Sequence, residues 1–469
     1  MKKRLSRMTA IGLILVLMAT ALSACTVPGN TTTTQPPETN APGTEAPETN
    51  EPTTEEPTTE APTEEPTTEA EKVIYQVGEN SPLAAIPYYD YDTYKDCWDM
   101  EKGAEMLLFE AENGDGYSQY LTDLTAAGFS LYAENEIVGN LYSTWTKDDL
   151  IVTMMYMPNL GRVRIVAEPM SNGLAPLESE NVYTDAGYEN LILQIGCNYN
   201  EGQNNGMCYA YRLCDGSFIV VDMGHGTGVQ ADVIFETLAQ FAPDPNNIVI
   251  AAFFVSHAHS DHFGGFYHLT HNYAEYISLE KIIYNYHTKK SFELTQTDSS
   301  VLYGLETLAE YYDGVELIEA HPGQEFFIRD AYIEMLYTWE QFDTDSILYL
   351  NNSCIVFSIT IEDEKIMQLG DCGPLAAPLI VSMYGEYLDS DFIQVAHHGN
   401  TGSSRDLNQL INPEIVLYPA SDFNYRKFLY STYLAPLKDV QPVYVADSRA
   451  TMIPLPFDEA RVEAWEIFD

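Results

Sequence analysis

The sequence predicts an α/β protein preceded by a small α+β domain. From about residue 181 onward, strand-like apolar runs at 209–213, 218–221, 248–255, 354–361, 366–369, 392–395, 415–417 and 443–445 alternate with helix-like stretches at 231–241 and 301–312. Such alternation, with apolar-rich strands, argues for buried sheets covered by helices. The segment before it, residues 72–180, has its own shorter pattern. All ten histidines fall after residue 181, which places the chemistry in the second part.

Taken in order, the chain opens on a basic start (Lys2, Lys3, Arg4, Arg7) and an apolar run at residues 11–21. That run is shorter than the roughly 20 residues a membrane helix needs, so residues 1–24 are expected to be a signal peptide. Leu22-Ser23-Ala24-Cys25 resembles the lipobox of bacterial lipoproteins, which implies lipidation of Cys25 and an extracytoplasmic protein anchored to the cell membrane by lipid alone. Residues 25–71 are almost entirely Thr, Pro, Glu and Ala. They lack the large apolar side chains that would offset chain entropy, so they read as a disordered tether. Proline and like-charge repulsion extend it to a reach on the order of 100 Å.

In residues 72–180, Tyr120, Leu121, Leu124 and Ala127 recur at helical spacing over 117–129, ended by Gly128, and apolar runs at 151–156 and 163–167 read as strands. This domain holds no histidine and no catalytic constellation, and its function is not legible. Residues 181–469 are expected to form the second domain, which holds all the histidines.

The whole chain carries 70 acidic against 22 basic residues, a formal net charge of −48. Such a surface is repelled by phosphate backbones and anionic headgroups, so long nucleic acid is a disfavoured substrate. Besides Cys25 there are six scattered cysteines with no CxxC pair, which argues against a cysteine zinc cluster. Disulfides and buried free thiols both remain open for them.

The apolar run 248–255 ends in Ser256-His257-Ala258-His259-Ser260-Asp261-His262-Phe263-Gly264-Gly265. Two residues apart in an extended segment, His257 and His259 project to one side. Asp261 and His262 follow where the chain is expected to turn at Gly264-Gly265. Imidazoles with a carboxylate suit zinc, manganese or iron, and four such groups in six positions suit two adjacent cations.

This segment resembles the HxHxDH signature of the metallo-β-lactamase superfamily. The run at 218–221 followed by Asp222-Met223-Gly224 resembles its Asp-x-Gly turn, Gly370-Asp371 its bridging aspartate, and His397-His398-Gly399 its late histidine motif. Asn351-Asn352-Ser353, read as an NxxS strand, and the double histidine bring it nearest the ComEC/Rec2-like competence-protein branch. The resemblance implies a four-layer αββα sandwich with two divalent ions, zinc first and manganese or iron as alternatives. It implies His257 and His259 on one cation, Asp261 and His262 on the other, Asp371 bridging, and one or both of His397 and His398 completing the shell. Asp222 is implied as a hydrogen-bonding support, and Asp261 and Asp371 as catalytic groups.

Three features depart from the pattern. No third histidine motif is recognisable among His268, His271, His287 and His321. Asn400 replaces the usual serine after the double histidine. The membrane channel of the ComEC proteins is absent. His225, just past the Asp222 turn, and Cys372, beside Asp371, read first as packing residues, and Arg426-Lys427 as a solvated pair.

A cation pair lowers the pKa of bound water to about 7, which serves phosphoesters, lactams and lactones alike. A small or oligomeric phosphoester is the expected substrate, because two cations clamp such oxygens. A lactone or lactam hydrolase and a non-catalytic, metal-containing surface binding protein are the alternatives.

Overall fold

The computed structural model describes residues 75–197, 206–288, 300–343 and 350–468. The signal segment, Cys25 and the tether lie outside them. Among the described residues no helix is long and apolar enough to cross a membrane.

The N-terminal part is one antiparallel sheet of six strands, in the order Thr93–Glu101, Ala104–Glu110, Arg162–Pro169, Leu150–Met157, Asn140–Lys147 and Ser130–Ile137. The expected helix is present as Asp115–Ala126. It lays Tyr117, Tyr120 and Leu124 over Leu107, Phe109, Val152, Met154, Val163 and Ile165, giving this sheet its own core. The chain reverses at Gly128, whose φ of +88° is left-handed and favours glycine. Four of the six strands escaped the sequence reading; Thr93–Glu101 and Ser130–Ile137 did so because they mix apolar with polar residues on an exposed face.

The remainder is two sheets packed face to face. One runs Glu316–Glu319, Lys281–Tyr284, Ile248–Val255, Phe218–Val221, Tyr209–Arg212, Asn190–Ile195, Arg449–Leu455, Glu463–Glu466. The other runs Glu325–Ile328, Ala331–Tyr337, Val356–Ile361, Glu364–Gln368, Phe392–Gln394, Ile415–Tyr418, Val443–Val445. Between them lies an apolar core in which Ile192, Tyr211, Val221 and Phe254 of the first sheet meet Ile333, Phe357, Ile366 and Leu417 of the second. Strand alternation decides the layering. Phe254 stacks on Phe357 at 4.7 Å between the sheets, while its neighbour Phe253 faces outward onto Phe266 of the Ser260–Tyr273 helix at 4.8 Å. Helices Gly228–Phe241 and Ser260–Tyr273 cover the first sheet; Ala376–Tyr384, Arg405–Ile411 and Asp422–Phe428 cover the second. The architecture is the four-layer αββα sandwich, and it forms one compact unit with the N-terminal sheet.

Two local expectations change. Gly264 and Gly265 lie inside the Ser260–Tyr273 helix and do not make a turn. They are glycines for room: a Cβ on Gly265 would sit 1.8 Å from the Met223 carbonyl oxygen. Residues 350–353 form a short 3₁₀ turn in place of a strand, and the strand itself begins at Val356. The helix read at 301–312 is Ser300–Ala309.

Within each sheet the central strands run parallel: 218–221, 248–255, 281–284 and 316–319 in one, 364–368, 392–394, 415–418 and 443–445 in the other. Parallel strands deliver their C-terminal ends to one edge, where open α/β sheets place ligands. Asp222, His257, Asp371 and the His397–His398 pair all follow such ends.

Candidate metal centre

The support for the centre begins with Asp222. Its φ of +56° turns the chain sharply out of the Phe218–Val221 strand. Its Oδ1 accepts the Ser256 N–H at 2.8 Å, and its Oδ2 accepts the Ser256 hydroxyl at 2.6 Å and pairs with His262 Nδ1 at 2.6 Å. One buried carboxylate thus ties two strand ends to a helix. Burial pushes this carboxyl above the usual carboxylate range, against the pull of His262 and Ser256.

The imidazoles are oriented the same way. His257 Nδ1 is 3.0 Å from the Ser256 hydroxyl, His397 Nδ1 is 3.1 Å from the Thr401 carbonyl, and His398 Nδ1 is 2.7 Å from the Pro419 carbonyl. With His262 held by Asp222, four rings have Nδ1 engaged and Nε2 left for the centre, the arrangement that fixes a ligand's tautomer. His259 precedes the Ser260–Tyr273 helix at its N-cap position, and its side chain makes no cap bond. Its Nδ1 lies instead 2.8 Å from His257 Nε2.

The ligating atoms of His257, His259 and Asp371 converge, as do those of Asp261, His262 and His398. Asp371 stands between the two groups. Its Oδ2 is 3.8 Å from His257 Nε2 and 3.9 Å from His397 Nε2; its Oδ1 is 3.1 Å from His262 Nε2 and 3.4 Å from His398 Nε2. His398 Nε2 is also 3.5 Å from Asp261 Oδ2. Ligands about 2.0–2.1 Å from a tetrahedral ion stand roughly 3.3 Å apart, so these spacings suit ions. The double histidine is divided, His397 toward the first group and His398 toward the second. Among the described residues none of His268, His271, His287 and His321 joins either group, nor does His397, whose Nε2 lies 3.9 Å from Asp371 Oδ2.

The division depends on backbone. His397 and His398 have φ of +51° and +53°, and Gly399 follows at +74°. Two successive left-handed residues cost of order 1–3 kcal/mol each and swing both rings to the centre. Gly399 has no alternative, since a Cβ there would lie 1.5 Å from Tyr418 Oη.

The donor set fits cations. Asp371 Oδ1 is buried and lacks a hydrogen-bond donor of proper geometry, a costly state for a carboxylate oxygen unless a cation meets it. Although burial works the other way, His262, His398 and His397 hold the Asp371 carboxyl well below the usual range, and His398 and His262 do the same for Asp261. Burial, reinforced by His262 and His259, keeps His257 far below the ordinary histidine value; burial also lowers His259. His262 is the exception. Against burial, Asp371 and Asp222 hold it well above that value.

Three supporting residues were outside the sequence reading of roles. Asn351 Nδ2 donates to Asp371 Oδ2 at 3.0 Å. Gln394, buried, accepts the Leu369 N–H at 2.9 Å and donates to the Gly370 carbonyl at 3.1 Å, bracing the loop that ends in Asp371. Ser256 bridges Asp222 and His257. Only Asn351 had a signal, its place in the Asn-Asn-Ser motif. Cys372 is buried with its thiol pushed up by burial, and Arg426 and Lys427 are exposed. All six cysteines from Cys97 on are free thiols.

Residues 202–418 match the family model described as the metallo-beta-lactamase superfamily, and every residue of both groups falls within that stretch. No curated protein matches the chain. Among solved structures it is similar to CmlA, a diiron beta-hydroxylase from Streptomyces venezuelae, at 12% identity and TM-score 0.35 over 57% of this chain and 54% of that one. The likeness therefore spans about half of CmlA. It is similar also to Tm1679, a metal-dependent hydrolase of the beta-lactamase superfamily, at 12% identity and TM-score 0.33 over 55% of this chain and 96% of that one. A third is yeast PDE1, at 9% identity and TM-score 0.32 over 55% of this chain and 97% of that one. Over residues 202–418 the chain is thus similar to the metallo-beta-lactamase superfamily.

Proposed function

We propose that this protein is a dinuclear metal-dependent hydrolase acting on a small or oligomeric phosphoester. The observation that carries the reading is Asp371, which directs one carboxylate oxygen to each of two histidine–aspartate groups. His257, His259, His397 and Asp371 Oδ2 would hold one cation; Asp261, His262, His398 and Asp371 Oδ1 the other. Zinc best suits this nitrogen-rich set, with manganese or iron as alternatives. When bound, the pair supplies an acidified water and polarises the scissile group.

The chain's own residues do the rest. Asp371 fixes the separation of the two halves. Asp222 and Ser256 hold His262 and His257 in the tautomer that offers Nε2. Asp261, whose side chain is 27% exposed while Asp371 is nearly sealed, is the carboxylate that reaches the mouth of the centre. It is placed there to accept a hydrogen bond from the attacking water and orient it. The strongly acidic chain disfavours long polyanions and leaves a compact phosphoester as the fitting substrate. The basic start, apolar run and Leu22-Ser23-Ala24-Cys25 support display outside the cell on a lipid at Cys25; C25S is then expected to release the protein from membranes.

The test is hydrolysis of bis-p-nitrophenyl phosphate by the zinc- or manganese-loaded chain, run beside lactam and lactone substrates. D371A and H259A are expected to abolish it. A protein that carries both ions and turns over none of these substrates is a metal-containing binding protein, and the reading is then wrong.

A further inference from the structure

One more imidazole lies beside the centre, on the loop between the Phe218–Val221 strand and the Gly228–Phe241 helix. His225 Nε2 is buried and has no hydrogen-bond partner. The charged groups it feels are Asp261, His398 and His262, all of the second group and none of the first. Its loop is fastened to the element that carries two of them. The Met223 N–H donates to the His262 carbonyl at 2.6 Å, and the Gly265 N–H donates to the Gly224 carbonyl at 3.0 Å. The approach is close enough that a Cβ on Gly264 would lie 2.4 Å from the Gly226 nitrogen. The glycine pair after the histidine motif is thus the space into which the His225 loop fits.

A buried ring nitrogen without a partner costs about 1–3 kcal/mol. His225 is in neither converging ligand group, and its loop packs on the start of the helix that carries Asp261 and His262. Asp261 and Asp371 on this side are carboxylates, which only accept, and His262 and His398 would spend their Nε2 on the cation. A neutral donor is what an anionic substrate still lacks there. We propose that His225 is a substrate-binding residue whose Nε2–H donates a hydrogen bond to a non-bridging phosphoryl oxygen at the Asp261–His262–His398 side.

The proposal rests on the phosphoester reading for its substrate, and the experiment separates the two. Full-length protein, H225A and H225Q are loaded with zinc. Bound metal is counted by elemental analysis, inorganic phosphate binding is measured by titration calorimetry, and bis-p-nitrophenyl phosphate turnover is assayed in parallel. Both variants are expected to keep two cations per chain. H225A is expected to bind phosphate at least tenfold more weakly, H225Q to recover part of that through its amide donor, and kcat/KM to fall in step. Unchanged phosphate affinity in H225A overturns the proposal, as does loss of one cation, which would make His225 a ligand. Failure of the unsubstituted, fully loaded protein to bind phosphate overturns it too. Phosphate binding without turnover sinks the hydrolase reading alone, and the calorimetric comparison still decides His225.

Discussion

Asp371 is the residue on which both halves of the centre depend, and its chemistry gives a discriminating substitution. D371N keeps the shape and the contact to Asn351 but removes the charge that faces two groups at once. The expected outcome is loss of at least one cation per chain and a fall in turnover of 10²-fold or more, read by elemental analysis and the phosphodiester assay. D222N acts at one remove. It leaves every ligand in place and loosens the His262 ring and, through Ser256, the His257 ring, so cation affinity is expected to fall 10–100-fold. His262 also sets a pH dependence. Held above the ordinary histidine value by two carboxylates, it carries a proton that a cation must displace, because a ligating imidazole is neutral. Affinity therefore rises with pH, by about tenfold per unit below the folded pKa. Calorimetry in buffers of different ionisation enthalpy should record proton release; its absence would place the proton elsewhere. At this scale HxHxDH was legible because its spacing is local. The sharing of His397 and His398 was not, because it follows from two consecutive left-handed residues that composition does not announce.

The Ser260–Tyr273 helix shows where element-level reading succeeds and where it stops. Its position after a buried strand was evident, and Asp261 in its first turn suits the positive end of the helix dipole. Gly264-Gly265 was read as a turn because glycine commonly marks one. The physical reason for glycine here is a second segment, the Met223–Gly226 loop, that arrives from over thirty residues earlier in the chain. G265A settles which effect governs. Alanine should gain about 1 kcal/mol in a helix interior, but its Cβ would lie 1.8 Å from a backbone oxygen. The steric term dominates, and G265A is expected to lower stability by more than 2 kcal/mol in chemical denaturation. A stabilised variant would show that the loop yields freely. The same long-range logic hid Gln394 and Asn351, whose partners lie some 20 residues away around separate turns.

The N-terminal sheet and the sandwich are joined by buried charge, which sequence could not reveal because each partner lies over 150 residues from the other. Arg164, wholly buried, donates to the Gln341 carbonyl and to Asp343, both at 2.8 Å. His321 is clamped between Glu168 of the N-terminal sheet at 2.7 Å and Glu340 at 2.9 Å. Against burial, Glu340 and Glu168 hold it well above the ordinary histidine value. A raised imidazole stabilises the fold fully below its unfolded value of about 6.5 and ceases to do so as pH climbs through the folded value. Nearby Glu319, pushed up to about 7 by burial, works in the same direction, since its buried charge costs more as pH rises from about 4.5 to 7. His287 opposes it. Lowered to about 4 by burial, it costs stability as pH falls from about 6.5 to 4. The two offset each other between about pH 4.5 and 6.5, which leaves His321 and, in the metal-free chain, His262 to set the trend above neutrality. Stability of the intact chain is therefore expected to decline on the alkaline side. H321A should cost about 3–5 kcal/mol at neutral pH, because it leaves two buried carboxylates without a counter-charge. It should also flatten the trend, removing the part of the alkaline decline that the His321 proton supplies. Urea denaturation of both proteins from pH 5 to 9 checks this, and parallel curves would mean that the proton on His321 does not hold the joint together.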